Sequence, residues 1–136
     1  MAHSKFRAEV LTPEGEVFND EVELVSTKTA VGSIGILAHH EPVLAMLDPT
    51  ELRLYKTESE VVRFAQAEGY LQMADNHVLI LVEEAMAPGD LDAGSLRERL
   101  QQAERALESA GEDSEKRRLA QRDKDRLEQF LKIAEG

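Results

Sequence analysis

The side chains of this 136-residue chain that could do chemistry are four histidines, some paired acids and a few serines, and their spacing argues against catalysis. His39 and His40 are adjacent, so on a strand they point to opposite faces and cannot converge on one ion. A metal centre needs three or four convergent ligands. His39-His40-Glu41 also lacks the His-x-His spacing of a metal-binding barrel, His3 is near the terminus, and His77 falls in a predicted hairpin turn. Ser26, Ser33 and Ser59 have no Gly-x-Ser-x-Gly setting, and Gly-Lys-Ser/Thr does not occur. Glu83-Glu84 reads as a solvated strand end rather than an acid–base pair. No catalytic residue, metal site or resident cofactor is expected.

A different kind of chemistry is written between Gly32 and Pro42, Gly-Ser-Ile-Gly-Ile-Leu-Ala-His-His-Glu-Pro. Gly32 and Gly35 permit backbone angles that a β-carbon forbids, and Pro42 fixes its own φ and extends Glu41. The segment reads as a shaped loop that presents apolar and imidazole groups without a nucleophile. That is a contact surface for something large.

The elements that must hold such a surface change character near Gly89. Before it, apolar residues alternate with polar ones at Phe6/Ala8/Val10, Val22/Leu24, Leu52/Leu54 and Val62/Phe64, the period of half-buried strands. Turn signals fall at Thr12-Pro13-Glu14-Gly15, Asn19-Asp20, Asp48-Pro49, Lys56 to Ser59 and Asp75-Asn76. Val78 to Val82 is apolar throughout and predicts a central strand covered on both faces. Many short strands with close turns predict a β-sandwich or barrel. After Ala87-Pro88-Gly89-Asp90, Leu96, Leu100, Ala103 and Leu107 mark one helix face, with Asp92 near its N-cap. Gly111 ends that helix, and a second carries Leu119, Leu127, Phe130, Leu131 and Ala134. The short connection predicts an antiparallel helical hairpin. The fold class is therefore α+β in two parts, a sandwich over 1–88 and a hairpin over 89–136.

Bulk properties narrow the partners. The formal charge of −11 disfavours nucleic acid, whose phosphates need clustered Lys and Arg. There is no tryptophan and no cysteine, so base stacking is poorly served and disulfides are excluded. The longest apolar run is too short to cross a bilayer, and Met1 to Arg7 lacks the apolar core of a leader. The basic residues gather on the second helix as Lys116-Arg117-Arg118, Arg122, Lys124 and Arg126. Composition alone reads them as a solvated face with Glu–Arg pairs at helical spacing.

The chain resembles the epsilon subunit of bacterial F-type ATP synthases. The matching pieces are Leu11-Thr12-Pro13-Glu14-Gly15-Glu16-Val17-Phe18, Val31 to Pro42, Leu52-Arg53, and Glu68-Gly69-Tyr70-Leu71-Gln72-Met73. The likeness is strong to about Asp92 and general beyond it. It implies a ten-strand sandwich with two helices, binding the gamma subunit and the c-ring in the central stalk of a proton-driven rotor. It implies a rotor interface at Val31, Gly32, Ser33, Gly35, His40 and Pro42. The hairpin would be regulatory, extending into the catalytic alpha/beta head to block ATP hydrolysis. Some members bind ATP weakly on the folded hairpin; here Asp92, Arg122 and Arg126 match such a motif, but Ser95 stands at an arginine position, so ATP binding is not favoured. The implied location is peripheral, at the cytoplasmic face of the bacterial plasma membrane, held through the complex only. The competing reading is a free-standing sandwich that binds a partner and dimerises through its hairpin.

Overall fold

Period-two alternation carries through ten strands in a computed structural model that describes residues 3–136. Met1 and Ala2, part of the segment read above as lacking a leader, lie outside the described residues. The strands are β1 Phe6–Thr12, β2 Gly15–Val22, β3 Leu24–Thr29, β4 Gly32–Leu37, β5 Val43–Leu47, β6 Thr50–Tyr55, β7 Val61–Gln66, β8 Gly69–Ala74, β9 His77–Val82 and β10 Ala85–Met86. A 3-10 turn at Pro88–Asp90 leads to α1, Ala93–Ser109, and α2, Ser114–Glu135. A ten-strand sandwich followed by a two-helix hairpin is the architecture expected from the sequence.

Strand order places β10-β7-β6-β3-β4 in one layer and β5-β8-β9-β1-β2 in the other. The layers join where Thr29 of β3 lies opposite Leu47 of β5. Inward residues of both layers make one core: Phe6, Ala8 and Val10 from β1, Val25 from β3, Ile36 from β4, Leu52 and Leu54 from β6, Leu71 and Met73 from β8, Val78 and Ile80 from β9. β1 pairs with β2 antiparallel and with β9 parallel, so the first strand is interior to its layer.

Several expectations change. Val22 and Leu24 do not share a strand. The chain crosses between layers at buried Glu23, whose N–H donates to Tyr55 O at 2.7 Å, and the inward phase restarts at Val25. Asn19 and Asp20 lie within β2, where they pair with Glu9 and Ala8 rather than turning. The segment from Gly32 is not a loop, since Gly32–Leu37 forms β4 against β3. β9 is central but covered on one face only, since Leu81 is 45% exposed.

The hairpin is short of apolar material and finds it on the sandwich. Leu96 and Ala103 of α1, Leu127 and Phe130 of α2, and Ala65 and Ala67 of the β7 end form a second buried cluster. Leu119 is exposed and Ala120 takes the buried place beside it. Beneath this seam Gln66 is fully buried. Its side-chain oxygen accepts from the Thr27 hydroxyl at 2.7 Å and its amide donates to Asp48 O at 2.8 Å. Asp92 and Asp113 cap the helices, accepting from Ser95 N–H at 3.2 Å and Lys116 N–H at 3.1 Å. Arg97 near the start of α1 pairs with Glu135 at the end of α2 at 3.3 Å, which marks the antiparallel run.

The glycine the sheet depends on is Gly69. A β-carbon there would sit 2.0 Å from Leu81 O and 2.7 Å from Val82 Cα, both backbone. At Gly35 it would meet only Leu24 Cδ1 at 3.7 Å, ordinary contact. Gly69→Ala should therefore destabilise the sandwich by about 1–3 kcal/mol, as overpacking does, while Gly35→Ala should be near neutral. Denaturant unfolding of the two variants side by side checks this; equal stabilities would contradict the close approach.

Candidate functional site

Two surfaces stand out. The first is an apolar row on the outer face of the second layer. Met46 of β5 lies opposite Tyr70 of β8, Tyr70 opposite Leu81 of β9, and Leu81 opposite Leu11 of β1. Adjacent strands are about 4.8 Å apart, so the row spans roughly 14 Å. Met46 is 61% exposed and Tyr70 53%, and Leu44 beside them 74%. Ala30 N–H donates to Met46 O at 3.0 Å, which sets the β3–β4 turn against the end of the row. That turn carries Val31, 99% exposed. A cleft of about 480 Å³ opens there between β4 and β5, lined by Val31, Ile34, Val43, Leu44 and Met46.

The residues expected to form one interface separate along β4. Val31, Gly32 and Ser33 sit at the turn beside the row, where Gly32 has φ +134°, a conformation that suits glycine. Gly35 lies mid-strand opposite Ser26 and shapes no turn. His40 and Pro42 fall beyond the opposite end of β4. His40 Nδ1 is 2.7 Å from Glu41 O, an oxygen that only accepts, so this nitrogen holds the proton. His39 has φ +63°, and its N–H donates to Asn76 Oδ1 at 2.7 Å, which ties this connection to the β8–β9 turn.

The second surface is the contact between hairpin and sandwich. Arg126 donates to Glu68, through Nε at 3.3 Å and through a shorter bond from Nη2, and its Nη1 is 3.8 Å from Glu84 Oε2. Arg122 Nε is 3.8 Å from Glu68 Oε1, and its Nη2 is 3.4 Å from Asp123 Oδ1. Burial by itself would raise the Glu68 carboxyl; the Arg126 hydrogen bond, its own backbone N–H and the two guanidinium charges outweigh that and hold it below its ordinary range. Asp92 is spent on its cap. Arg118 pairs with Glu115 at 2.6 Å, the solvated arrangement expected from spacing, but Arg126 faces the sandwich instead. A cleft of about 260 Å³ between α1 and α2 has Arg99, Asp123 and Arg126 on its walls. Among the described residues no group of three or more His, Asp or Glu could hold a metal ion, and no helix is long and apolar enough to cross a membrane.

Sequence reasoning missed Leu44, Met46, Tyr70 and Leu81 as surface residues, and Glu68 and Glu84 as partners of α2. Val43 to Leu47 and Val78 to Val82 are apolar at nearly every position, so no alternation tells which side chains face out. The pairing of Arg126 with an acid 58 positions earlier has no signal in local spacing.

Comparison with known proteins gives the family and the fold. Residues 5–88 match the family model for the ATP synthase delta/epsilon chain beta-sandwich domain. The chain is 37% identical over 113 residues to the ATP synthase epsilon chain of Rubrobacter xylanophilus, covering 80% of this chain and 77% of that one. It is 36% identical over 127 residues to the epsilon chain of Persephonella marina, with 93% of each covered. In fold it is similar to a chain of the Euglena gracilis mitochondrial ATP synthase, an OSCP/F1/c-ring structure, with TM-score 0.80 at 20% identity, covering 97% of this chain and 82% of that chain. A chain of the Tetrahymena thermophila mitochondrial ATP synthase central stalk and c-ring gives TM-score 0.61 at 19% identity, covering 98% and 99%.

The seam supplies a direct check. Phe130 is 1% exposed against Ala65 and Ala67. Phe130→Ala should cost about 3–5 kcal/mol of local packing. Amide exchange in α2 should rise sharply while β9 stays protected. Loss of protection in both would mean that hairpin and sandwich unfold as one unit.

Proposed function

The chain belongs to the ATP synthase delta/epsilon family, and on that premise we propose that it serves as a non-catalytic rotor subunit of the central stalk, carried by its sandwich and regulated by its hairpin. The observation that carries this reading is the uncovered row Met46–Tyr70–Leu81 with Leu44 and Val31 beside it. A contiguous apolar patch on a chain of net charge −11 marks a docking surface. The gamma subunit takes the broad strand face. The c-ring takes the turn at Val31, Gly32 and Ser33, which projects from one end of the sandwich. The fold likeness to chains from central-stalk and c-ring structures supports these partners.

The hairpin is the moving part in this reading. It buries few apolar side chains, so a second docking surface of similar size competes with the first. Released, α2 presents Arg117, Arg118, Arg122 and Arg126 to carboxylates of the catalytic alpha/beta head and impedes hydrolysis. Folded, Arg126 is already satisfied by Glu68 and Glu84, so ATP gains little there. Coupling to proton flow follows from fixation to the ring, and the cytoplasmic face of the bacterial membrane is where such a stalk stands. The dimerisation reading loses its surface, because the hairpin's apolar side is used within the chain.

Two outcomes test the assignment. Met46→Glu with Leu81→Glu should weaken binding to gamma by at least about tenfold, or 1.4 kcal/mol, as loss of a central apolar anchor does. Unchanged co-purification with gamma and the c-ring would remove the row from the interface. Ending the chain after Gly89 should preserve assembly and raise ATP hydrolysis by the complex. Loss of gamma binding by the shortened chain would make the hairpin part of the anchor.

A further inference from the structure

We propose that Glu68 and Glu84 form an acidic socket on the sandwich that takes the Arg126 guanidinium as its plug, so that a counter-anion built into the chain latches the hairpin. The proposal rests on the hairpin being the moving part, and it names what holds that part down.

The socket exists in the sheet before the helix arrives. Ala67 N–H donates to Glu84 O at 2.9 Å, and Glu83 N–H donates to Glu68 O at 3.1 Å. These two bonds hold the turns after β7 and β9 side by side, and with them the two carboxylates. Gly69, which follows Glu68, cannot carry a β-carbon, because the β9 backbone lies against it. Both acids therefore project from a rigid corner. Two carboxylates fixed as neighbours repel unless a cation sits between them. Arg126 does so, on the same turns of α2 that carry Leu127 and Phe130 into the apolar seam.

The pair differs from the surface pairs elsewhere on α2. The Arg126 side chain is 16% exposed and that of Glu68 25%, whereas Arg118 and Glu115 are 61% and 65% exposed. Exposed pairs contribute little, while a half-buried, two-pronged guanidinium–carboxylate pair is short, oriented and less screened. Around Glu68 the other charged groups are Arg118, Arg122 and Asp125 from α2 and Asp48 from the β5–β6 turn, with Asp123 beyond Arg122. Of that set, Arg122 is the group that acts on Glu68 together with Arg126. The lowered carboxyl of Glu68 agrees with it.

The sign of the acid response follows. A carboxyl held below its ordinary value of 4.5 contributes to docking at neutral pH, and the contribution is lost as pH falls through the lowered value. Docking should stay flat from pH 8 to 5 and weaken below. Any phosphate compound that reaches Arg126 must first displace Glu68.

The test is amide exchange on the full chain, reading α2 from Ala120 to Phe130 with β9 as the internal reference. Glu68→Gln should lower α2 protection about tenfold to a hundredfold, the range for a charge-assisted bond of about 1.5–3 kcal/mol, with β9 unchanged. Arg126→Gln should do the same, and the double variant should be scarcely worse than either single one. The step below pH 5 should vanish in Glu68→Gln. Unaltered α2 protection in Glu68→Gln, or single losses that simply add, would overturn the latch. So would a tenfold rise in wild-type protection on adding ATP, since phosphate would then be the anion that holds the hairpin. ATP hydrolysis by the assembled complex separates the two readings. Protection lost without any change in hydrolysis leaves the latch standing and removes the inhibitory role.

Discussion

The two helices pack mainly on each other, and the single apolar cluster they share with the end of β7 shapes the face on which α2 rests. Among the described residues, Leu96, Ala103, Leu127 and Phe130 are the helix side chains fully buried in that cluster, with Leu100, Leu131, Ile133 and Ala134 partly buried against it. A two-helix unit with so little to bury does not hold together in water unaided. β7 answers with small residues: Ala65 and Ala67 present a low surface, and Phe130 closes over it. The same strand turns Val62 and Phe64 toward the main core, so one segment serves two apolar clusters from its two faces. Gln66 between the two alanines is tied to Thr27 and to the Asp48 carbonyl, which keeps the shared strand from shifting.

Polar contacts then set orientation where apolar area is scarce. Arg97–Glu135 only marks the antiparallel run of the helices, while the half-buried Arg126 fixes α2 against the corner made by the turns after β7 and β9. The apolar row of Met46, Tyr70 and Leu81 is on the other layer, away from β6 and β7 where α2 rests. An anchoring face and a hinged element can therefore act without competing for the same strands.

Much of this was legible in the chain. Alternation at Phe6/Ala8/Val10 and Leu52/Leu54 gave the correct inward phase, and the Asp92 cap and the helix stop near Gly111 stand where spacing put them, whereas the Asp113 cap of α2 was not read. Legibility failed where physics is non-local. The Val22–Leu24 alternation hides a crossing between layers at Glu23, since a strand change keeps local period two while exchanging partners. Gly32 to Leu37 looked like a loop because its glycines were given turn roles, yet pairing with β3 overrides that at Gly35. Uniformly apolar strands conceal their outward side, which is why the exposed row was invisible and Leu81 was expected inside. Arg126 read as one cation among several until the sheet brought Glu68 to it.

The parallel pairing of β1 with β9 has a consequence for how the molecule is made. Arg7 lies opposite His77 and Leu11 opposite Leu81, so the first strand waits for a partner ~70 residues downstream, a large loop to close. During synthesis the β1–β2 ribbon emerges early with its other edge bare, and such edges recruit foreign strands. The sandwich closes only when β9 has left the ribosome. The helices come later in the chain than β6 and β7, so the surface on which α2 rests precedes it in synthesis.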